Sequence, residues 1–539
     1  MKKVLKLTSI ILAAAMLIGC SRIDDDPDAS SAASSTPSSN TSEENSMPLN
    51  EIPPKEFIVV KQSFIKKFEA EKGSFNGTAR DERGNELQNP DDGGYVALKK
   101  GQHLSQVVTV TTSQFYRIVI AARSSEDAHI KLQIGDPVEG VYVVPKSNAE
   151  ESGDDEFKLY EIDNLYMSVG MNTINFTVEN GSTDIDCIVV ESSDAAGEEL
   201  YKTGNACVAE TASVRTAMLM RTLADNYGSV SFTAQNASCG TNAEIDAVYE
   251  ETKRFPAIRA SELALAVKDD EHSAEVVKNE LALAEEWDKN GGICAYAWHW
   301  YSPNPIRGTA VKDFDLSPAL EGKDPQEIGM LDNGGIQLQL DNDLLTQDAA
   351  ELLYDLDKLA VSLKTLDDAN IPILFEPIPD GDTGLFWWGS DAESYKTLWQ
   401  LIFVRLCKYN GLKNLIWVWN NSDFDFYPGD KYVDIIGQSF YEKSTSSFAG
   451  RFKALASDSA TGRKMLAVTA CDTLPSIDFM NRDNAMWLWT APDSGEYTID
   501  RLGKLSEKYT KKSALRNAYN NEKCITLDEL AELGWTRDN

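Results

Sequence analysis

Between residues 57 and 193, apolar and polar positions alternate in short runs: 106–110, 116–120, 130–134, 173–178 and 185–190. Turn residues separate them. A period of two broken by turns predicts half-buried strands, and this many in about 130 residues predicts a β-sandwich. After residue 204 the pattern changes. Continuous apolar runs at 230–234, 257–261, 292–298, 372–376, 415–419, 433–439, 465–469 and 485–490 read as strands buried on both faces. Stretches such as 349–367 and 394–409 carry helical spacing between them. Eight strands alternating with helices predict a (β/α)8 TIM barrel over residues 204–539, preceded by a jelly-roll β-sandwich over 56–195. In such a barrel, chemistry belongs at the C-terminal ends of the strands.

The start of the chain follows neither pattern. Lys2, Lys3 and Lys6 precede an apolar run at 7–18 that is too short to span a membrane. Leu17-Ile18-Gly19-Cys20 then resembles a bacterial lipobox. The expectation is a signal peptide over 1–19, a lipid on Cys20, and a protein anchored to the cell surface without crossing the membrane. Residues 20–55 are Ser, Thr, Asn, Pro and acidic residues with almost nothing apolar. They cannot bury enough surface to offset their ordering entropy and read as a tether.

Composition narrows the chemistry. The 539 residues carry 85 Asp and Glu against 51 Lys and Arg, a net charge of −34. That excess opposes nucleic acid as a partner, because phosphate binding needs a basic surface. The four histidines form no HExxH pair, and no CxxC occurs, so zinc chemistry is not expected. Without Cys20, seven cysteines remain at irregular spacing, and no disulfide framework can be argued. Cys187, Cys294 and Cys407 lie in apolar stretches and read as small core residues.

In the first folded part, Phe68-Glu69-Ala70-Glu71, Gly93-Gly94-Tyr95-Val96, Tyr116-Arg117-Ile118, Gly170 to Ile174 and Ile185-Asp186 occur in order. Together they resemble carbohydrate-binding modules of families 6 and 35. The resemblance implies a structural Ca²⁺ held by Glu69, Glu71 and Asp186, a hard cation on hard oxygen donors. The alternative is that these glutamates form the polar face of an edge strand. Tyr95, Tyr142 and Tyr160 are the candidate sugar-stacking aromatics of this module.

In the second part, aromatic residues cluster at the expected strand ends. They are Trp298-His299-Trp300, Phe386-Trp387-Trp388-Gly389, Phe440-Tyr441 and Met486-Trp487-Leu488-Trp489. With Phe255 to Arg259, Asn414 to Trp419, Tyr427-Pro428-Gly429-Asp430 and Tyr432 to Gly437, they resemble family 26 glycoside hydrolases, chiefly endo-β-1,4-mannanases. The resemblance implies β-mannan or a related β-glycan as ligand, no cofactor for the barrel, and stacking or contact through Trp298, His299, Trp387, Trp388, Tyr441 and Trp489.

The departures from that family bear directly on activity. A retaining glycosidase uses a nucleophile and an acid/base carboxyl about 5–5.5 Å apart. The family's Arg-Pro-Leu-His-Glu run reads here Glu376-Pro377-Ile378-Pro379-Asp380, so the acid/base position is Asp380. The nucleophile position, in 466–472, is Ala470. Two principal expectations result. One is a surface lipoprotein, a pseudoenzyme that binds β-glycan with hydrolysis lost or strongly reduced. The other is an active retaining hydrolase in which Asp472 or Glu442 supplies a displaced nucleophile. A barrel serving as a protein-interaction surface is the third.

Overall fold

The computed structural model describes residues 64–537 apart from 88–92, 113, 136–137, 147–156, 168, 194–197, 304–313 and 458–462. The expected leader, the tether and Cys20 lie outside the described residues.

The N-terminal part is two antiparallel sheets. One has the spatial order Thr78–Arg80, Tyr95–Lys99, Ser182–Ser192, Gln114–Arg123, Lys158–Met167, and Ile65–Glu69 also pairs with Ser182–Ser192. The other runs Ser74–Phe75, His103–Val110, Gly170–Asn180, Ala128–Ile134, Val138–Val144. Alternate residues point inward from both. Ile174, Phe176 and Val178 of one sheet meet Ile118, Ile120 and Ile188 of the other in a single apolar cluster. The period-two pattern thus becomes a sandwich, as expected.

The C-terminal part is a closed barrel of eight parallel strands: β1 (Ser231–Asn236), β2 (Ile258–Glu262), β3 (Ile293–Trp298), β4 (Ile373–Pro377), β5 (Leu415–Asn420), β6 (Ile435–Phe440), β7 (Met465–Cys471) and β8 (Trp489–Pro492). Strand β8 returns to β1 through the Phe232–Trp489 pairing. All six residues of β5 are buried, which explains why its sequence is an unbroken apolar run. Helices cover the outside. Gln347–Asp368 starts at Thr346, whose hydroxyl accepts the Ala349 N–H at 3.2 Å. Its Leu352, Leu356, Leu359, Leu363 and Leu366 form the stripe pressed on the barrel.

The eighth strand begins later than its sequence suggests. Residues 485–488 are buried but precede it, and the strand ends at Pro492, so Asp493 stands at its C-terminal end. The helix Ala449–Ser457 packs against Val138–Val144 and Lys158–Met167 of the sandwich, joining the two parts. The seven described cysteines form no disulfide with one another, and Cys207 alone among them is not fully buried.

Candidate active site

A cleft at the C-terminal end of the barrel holds about 720 Å³ of open space, and every strand of the barrel contributes to its wall. Asn236, Glu262, His299, Glu376, Asp380, Ser439, Ala470, Trp489 and Asp493 line it.

The loop after β4 carries Asp380. Ile378 has φ 43° and Asp380 φ 53°, left-handed conformations that cost energy for a residue with a side chain, most of all a β-branched one. Surrounding bonds hold the loop there. Tyr395 Oη donates to the Ile378 carbonyl at 3.1 Å, Trp388 Nε1 donates to the Pro379 carbonyl at 2.9 Å, and the Asp380 N–H donates to the Asn420 carbonyl at 2.9 Å. The largely buried Asp380 carboxyl therefore faces the cleft. Burial and the neighbouring Asp382 charge push it up to about 6, against the pull of His299 and the Ser439 hydroxyl.

His299 follows β3. Its backbone N–H and Nδ1 both face the Glu262 carboxylate, at 3.0 and 2.5 Å. Burial alone would lower its pKa, but Glu262, aided by Asp380 and Glu376, lifts it to about 9. The ring is thus an imidazolium at neutral pH. Its Nε2 and the Ser261 hydroxyl both line the cleft, and neither has a hydrogen-bond partner. A bound hydroxyl-rich ligand would satisfy both.

Glu376 sits on the barrel side of Asp380. It accepts from Asn420 Nδ2 at 2.9 Å and Thr469 Oγ1 at 3.3 Å, and burial pushes it up to about 8, so it is protonated near neutrality. Gly437 makes this cluster possible, since a Cβ there would come within 2.7 Å of Thr469 Cγ2. Asp493 accepts from Tyr441 Oη and from the Ser494 N–H, each at 2.7 Å. Burial raises it to about 6. Glu244 ties the neighbouring loops together by accepting from the Ser238 hydroxyl at 2.6 Å and the Gly495 N–H at 2.9 Å.

Several expected residues are placed differently. Trp298, Trp387 and Trp388 are 0% exposed and present no open ring face for a sugar to stack on. Side chains alternate along an extended segment, so His299 turns into the cleft while Trp298 and Trp300 stack on each other at 4.4 Å behind it. Trp387 donates to the Trp300 carbonyl at 2.8 Å, and Trp388 lies flat on Phe386 at 4.4 Å. These indoles shape the loops from beneath. Of the expected tryptophans only Trp489 lines the cleft, and Tyr441 reaches it through Asp493.

The two residues considered as displaced nucleophiles are absent from the cleft wall. Strand β7 ends at Cys471, so the alternation that would have aimed Asp472 inward stops there. Both Asp472 carboxylate oxygens instead face the Lys443 N–H, at 3.2 and 3.1 Å. Glu442 is exposed. The sequence offers no strand-end signal for Asp493, because the apolar run at 485–490 predicts a β8 that ends before it, whereas the strand runs to Pro492.

In the sandwich, Glu69 and Asp186 oxygens converge within 4.8 Å, together with the Cys187 thiol. Strand pairing slips between Ile185 and Cys187, which frees Asp186 from the regular alternation. Glu71 is buried beside them, feels both charges, and its Oε2 has no partner. Glu69, Glu71 and Asp186 offer hard carboxylate oxygens that suit Ca²⁺, whereas the converging Cys187 thiol is a soft donor that does not. Of the candidate sugar aromatics, Tyr95 is buried with the Arg123 guanidinium over its ring, and Tyr142 and Tyr160 border an apolar cavity between the sheets.

Residues 208–529 match the family model for glycosyl hydrolase family 26. The chain belongs to glycosyl hydrolase family 26. A mannan endo-1,4-beta-mannosidase from Thermothelomyces thermophilus is 30% identical over 259 residues, which cover 46% of this chain and 48% of that relative. A mannan endo-1,4-beta-mannosidase B from Piromyces sp. is 24% identical, covering 87% of this chain and 78% of its own length. Among solved structures, a ruminal GH26 endo-beta-1,4-mannanase superposes with TM-score 0.63 at 20% identity, covering 87% of this chain and 99% of that one. A GH26-CBM35 beta-(1,4)-mannanase from Podospora anserina gives 0.54 at 22% identity, over 87% and 99%. At these identities, the structural likeness bears on the fold alone.

Proposed function

We propose that this family 26 barrel binds a β-1,4-mannan-type glycan in the cleft, and that hydrolysis through a glycosyl-enzyme intermediate is lost or strongly reduced. The observation that carries the reading is Ala470 at the end of β7, with a methyl group in the cleft wall where the family places its nucleophile. No covalent intermediate forms on a methyl group, and the developing positive charge of the transition state loses its facing anion. The acid position has also been shortened by one methylene at Asp380, and a displacement of about 1 Å can cost on the order of 10²-fold. The family and the mannan-active relatives support the ligand class. The cleft supports it too, through buried donors on His299 and Ser261 aimed at an oxygen-rich ligand.

The rest of the chain fits a capture role. A lipid on Cys20 and the tether over 20–55 would hold the folded parts off a cell surface. The sandwich would add a second glycan site, with Ca²⁺ on Glu69, Glu71 and Asp186 fixing its strand edge. Two linked weak sites gain avidity when one polysaccharide engages both.

The second reading, a retaining hydrolase using Asp472 or Glu442, is disfavoured by the positions of those side chains outside the cleft wall. The deciding experiment combines calorimetric binding of mannohexaose with mass spectrometry after exposure to a 2-fluoro mannoside. Binding without a covalent adduct is expected. An adduct, or sugar release at rates normal for a family 26 mannanase, overturns the proposal. Restoring both carboxyls with Ala470→Glu and Asp380→Glu should produce a large gain in release.

A further inference from the structure

We infer that the reduced hydrolysis remaining in this cleft is a single displacement by water, with Asp493 as general base and Asp380 as general acid. The inference rests on glycan binding as proposed above. Strands β4 and β8 are opposite staves of the eight-stranded barrel, so Asp380 and Asp493 reach the same cleft from facing walls. They are close enough for the Asp493 charge to act on Asp380. Asp493 also neighbours the vacant nucleophile position. Strand β8 lies beside β7, and Cys471 pairs with Pro492, so Asp493 stands two residues further along the barrel axis than Ala470, on the adjoining stave, and both line the cleft.

The two substitutions have a joint consequence. Retaining enzymes hold their carboxyls about 5–5.5 Å apart, whereas inverting enzymes need about 6.5–9.5 Å to admit a water between base and anomeric carbon. Ala470 removes the carboxyl that would fill that space. Asp380 withdraws the acid by one methylene. Asp493 is set back on the adjoining stave, its orientation fixed by Tyr441 and the Ser494 N–H. The cleft has exchanged a nucleophile for room, with a carboxylate behind it.

The step balances. Asp493 takes a proton from the water as its oxygen bonds to the anomeric carbon. The bond from that carbon to the glycosidic oxygen breaks, and protonated Asp380 gives its proton to the departing oxygen. One water is consumed, and the two carboxyls then exchange protons with solvent. His299, whose Nε2 lacks a partner and whose side chain is 8% exposed, is positioned to donate to a substrate oxygen in the same cleft. Burial raises both Asp380 and Asp493 to about 6, so in mild acid the pair shares protons, and the roles are assigned by place: Asp380 at the family's acid position, Asp493 on the stave beside the one that bears Ala470.

The test uses the full chain with mannohexaose and cellohexaose, following anomeric protons by NMR in the first minutes of release. The expected first product is the α-anomer. Asp493→Asn should lower release by about 10²- to 10⁴-fold while the calorimetric affinity for mannohexaose changes only a few-fold. Ala470→Glu should abolish α-anomer formation by filling the water's place. A β-anomer as first product overturns the inference, as does unchanged release in Asp493→Asn. Binding with no release overturns it too but leaves the glycan-binding reading standing, and failure to bind either sugar removes both. The product anomer of the unaltered chain decides the question even where a variant folds poorly.

Discussion

Substituting Glu262 by Gln keeps the side chain's size and removes the charge that faces His299. The carboxylate meets both the Nδ1 and the backbone N–H of His299. The rise of that imidazole from 6.5 to about 9, at 1.36 kcal/mol per unit, corresponds to about 3 kcal/mol in favour of the imidazolium. Burial opposes this charge, so without Glu262 the pKa is expected to fall below 6.5. Long-range ¹H–¹⁵N spectra of the ring provide the assay: protonated at pH 7.5 in the unaltered chain, neutral in Glu262→Gln. A raised folded-state pKa contributes fully below the unfolded value of 6.5 and is lost as pH rises through about 9. The pH-dependent part of the variant's deficit is therefore largest in mild acid and vanishes above pH 9. A neutral ring in the unaltered chain at pH 7.5, or a variant ring still titrating near 9, would mean that Glu262 does not hold the charge on His299.

Other expectations concern separate parts of the molecule. Glu376 is raised to about 8, and Asp380 and Asp493 to about 6. Their contribution is complete below the unfolded carboxyl values and is lost as pH rises through 6 to 8, so the barrel's melting temperature should fall between pH 5 and pH 9; a rising profile would contradict this. Trp387→Ala removes a fully buried indole and should cost about 3–5 kcal/mol of stability, measured by thermal melting; unchanged melting with lost glycan affinity would show the indole to be a sugar platform after all. Ca²⁺ should raise the melting temperature of the sandwich, and Glu71→Gln should reduce that shift; an equal shift in the variant places the ion elsewhere.

Much of the barrel was legible because buried parallel strands leave a simple signature. The runs at 415–419 and 465–469 lie within β5 and β7. The eighth strand was misplaced because residues 485–492 are all buried, and hydrophobicity does not separate a run-in segment from the strand that follows. That shift of a few residues hid Asp493. The tryptophans misled for a related reason. Composition identifies aromatic residues near strand ends, but the alternation along 298–300 decides which of them turn inward, and there the cleft receives an imidazole. Asn420 and Tyr395 carry no signal of their own in the sequence, since their importance comes from loops that meet only after folding.

The buried cysteines have a practical meaning wherever the folded chain meets an oxidant. Thiolates, not thiols, attack disulfides and peroxides. Burial pushes Cys187 up to about 11 and Cys207, Cys294, Cys407 and Cys524 to about 12, and Cys471 rises well above its ordinary value. These sulfurs stay protonated and almost entirely out of solvent's reach. These six thiols thereby resist scrambling into crosslinked aggregates, and among the described cysteines an alkylating reagent should find Cys207 first.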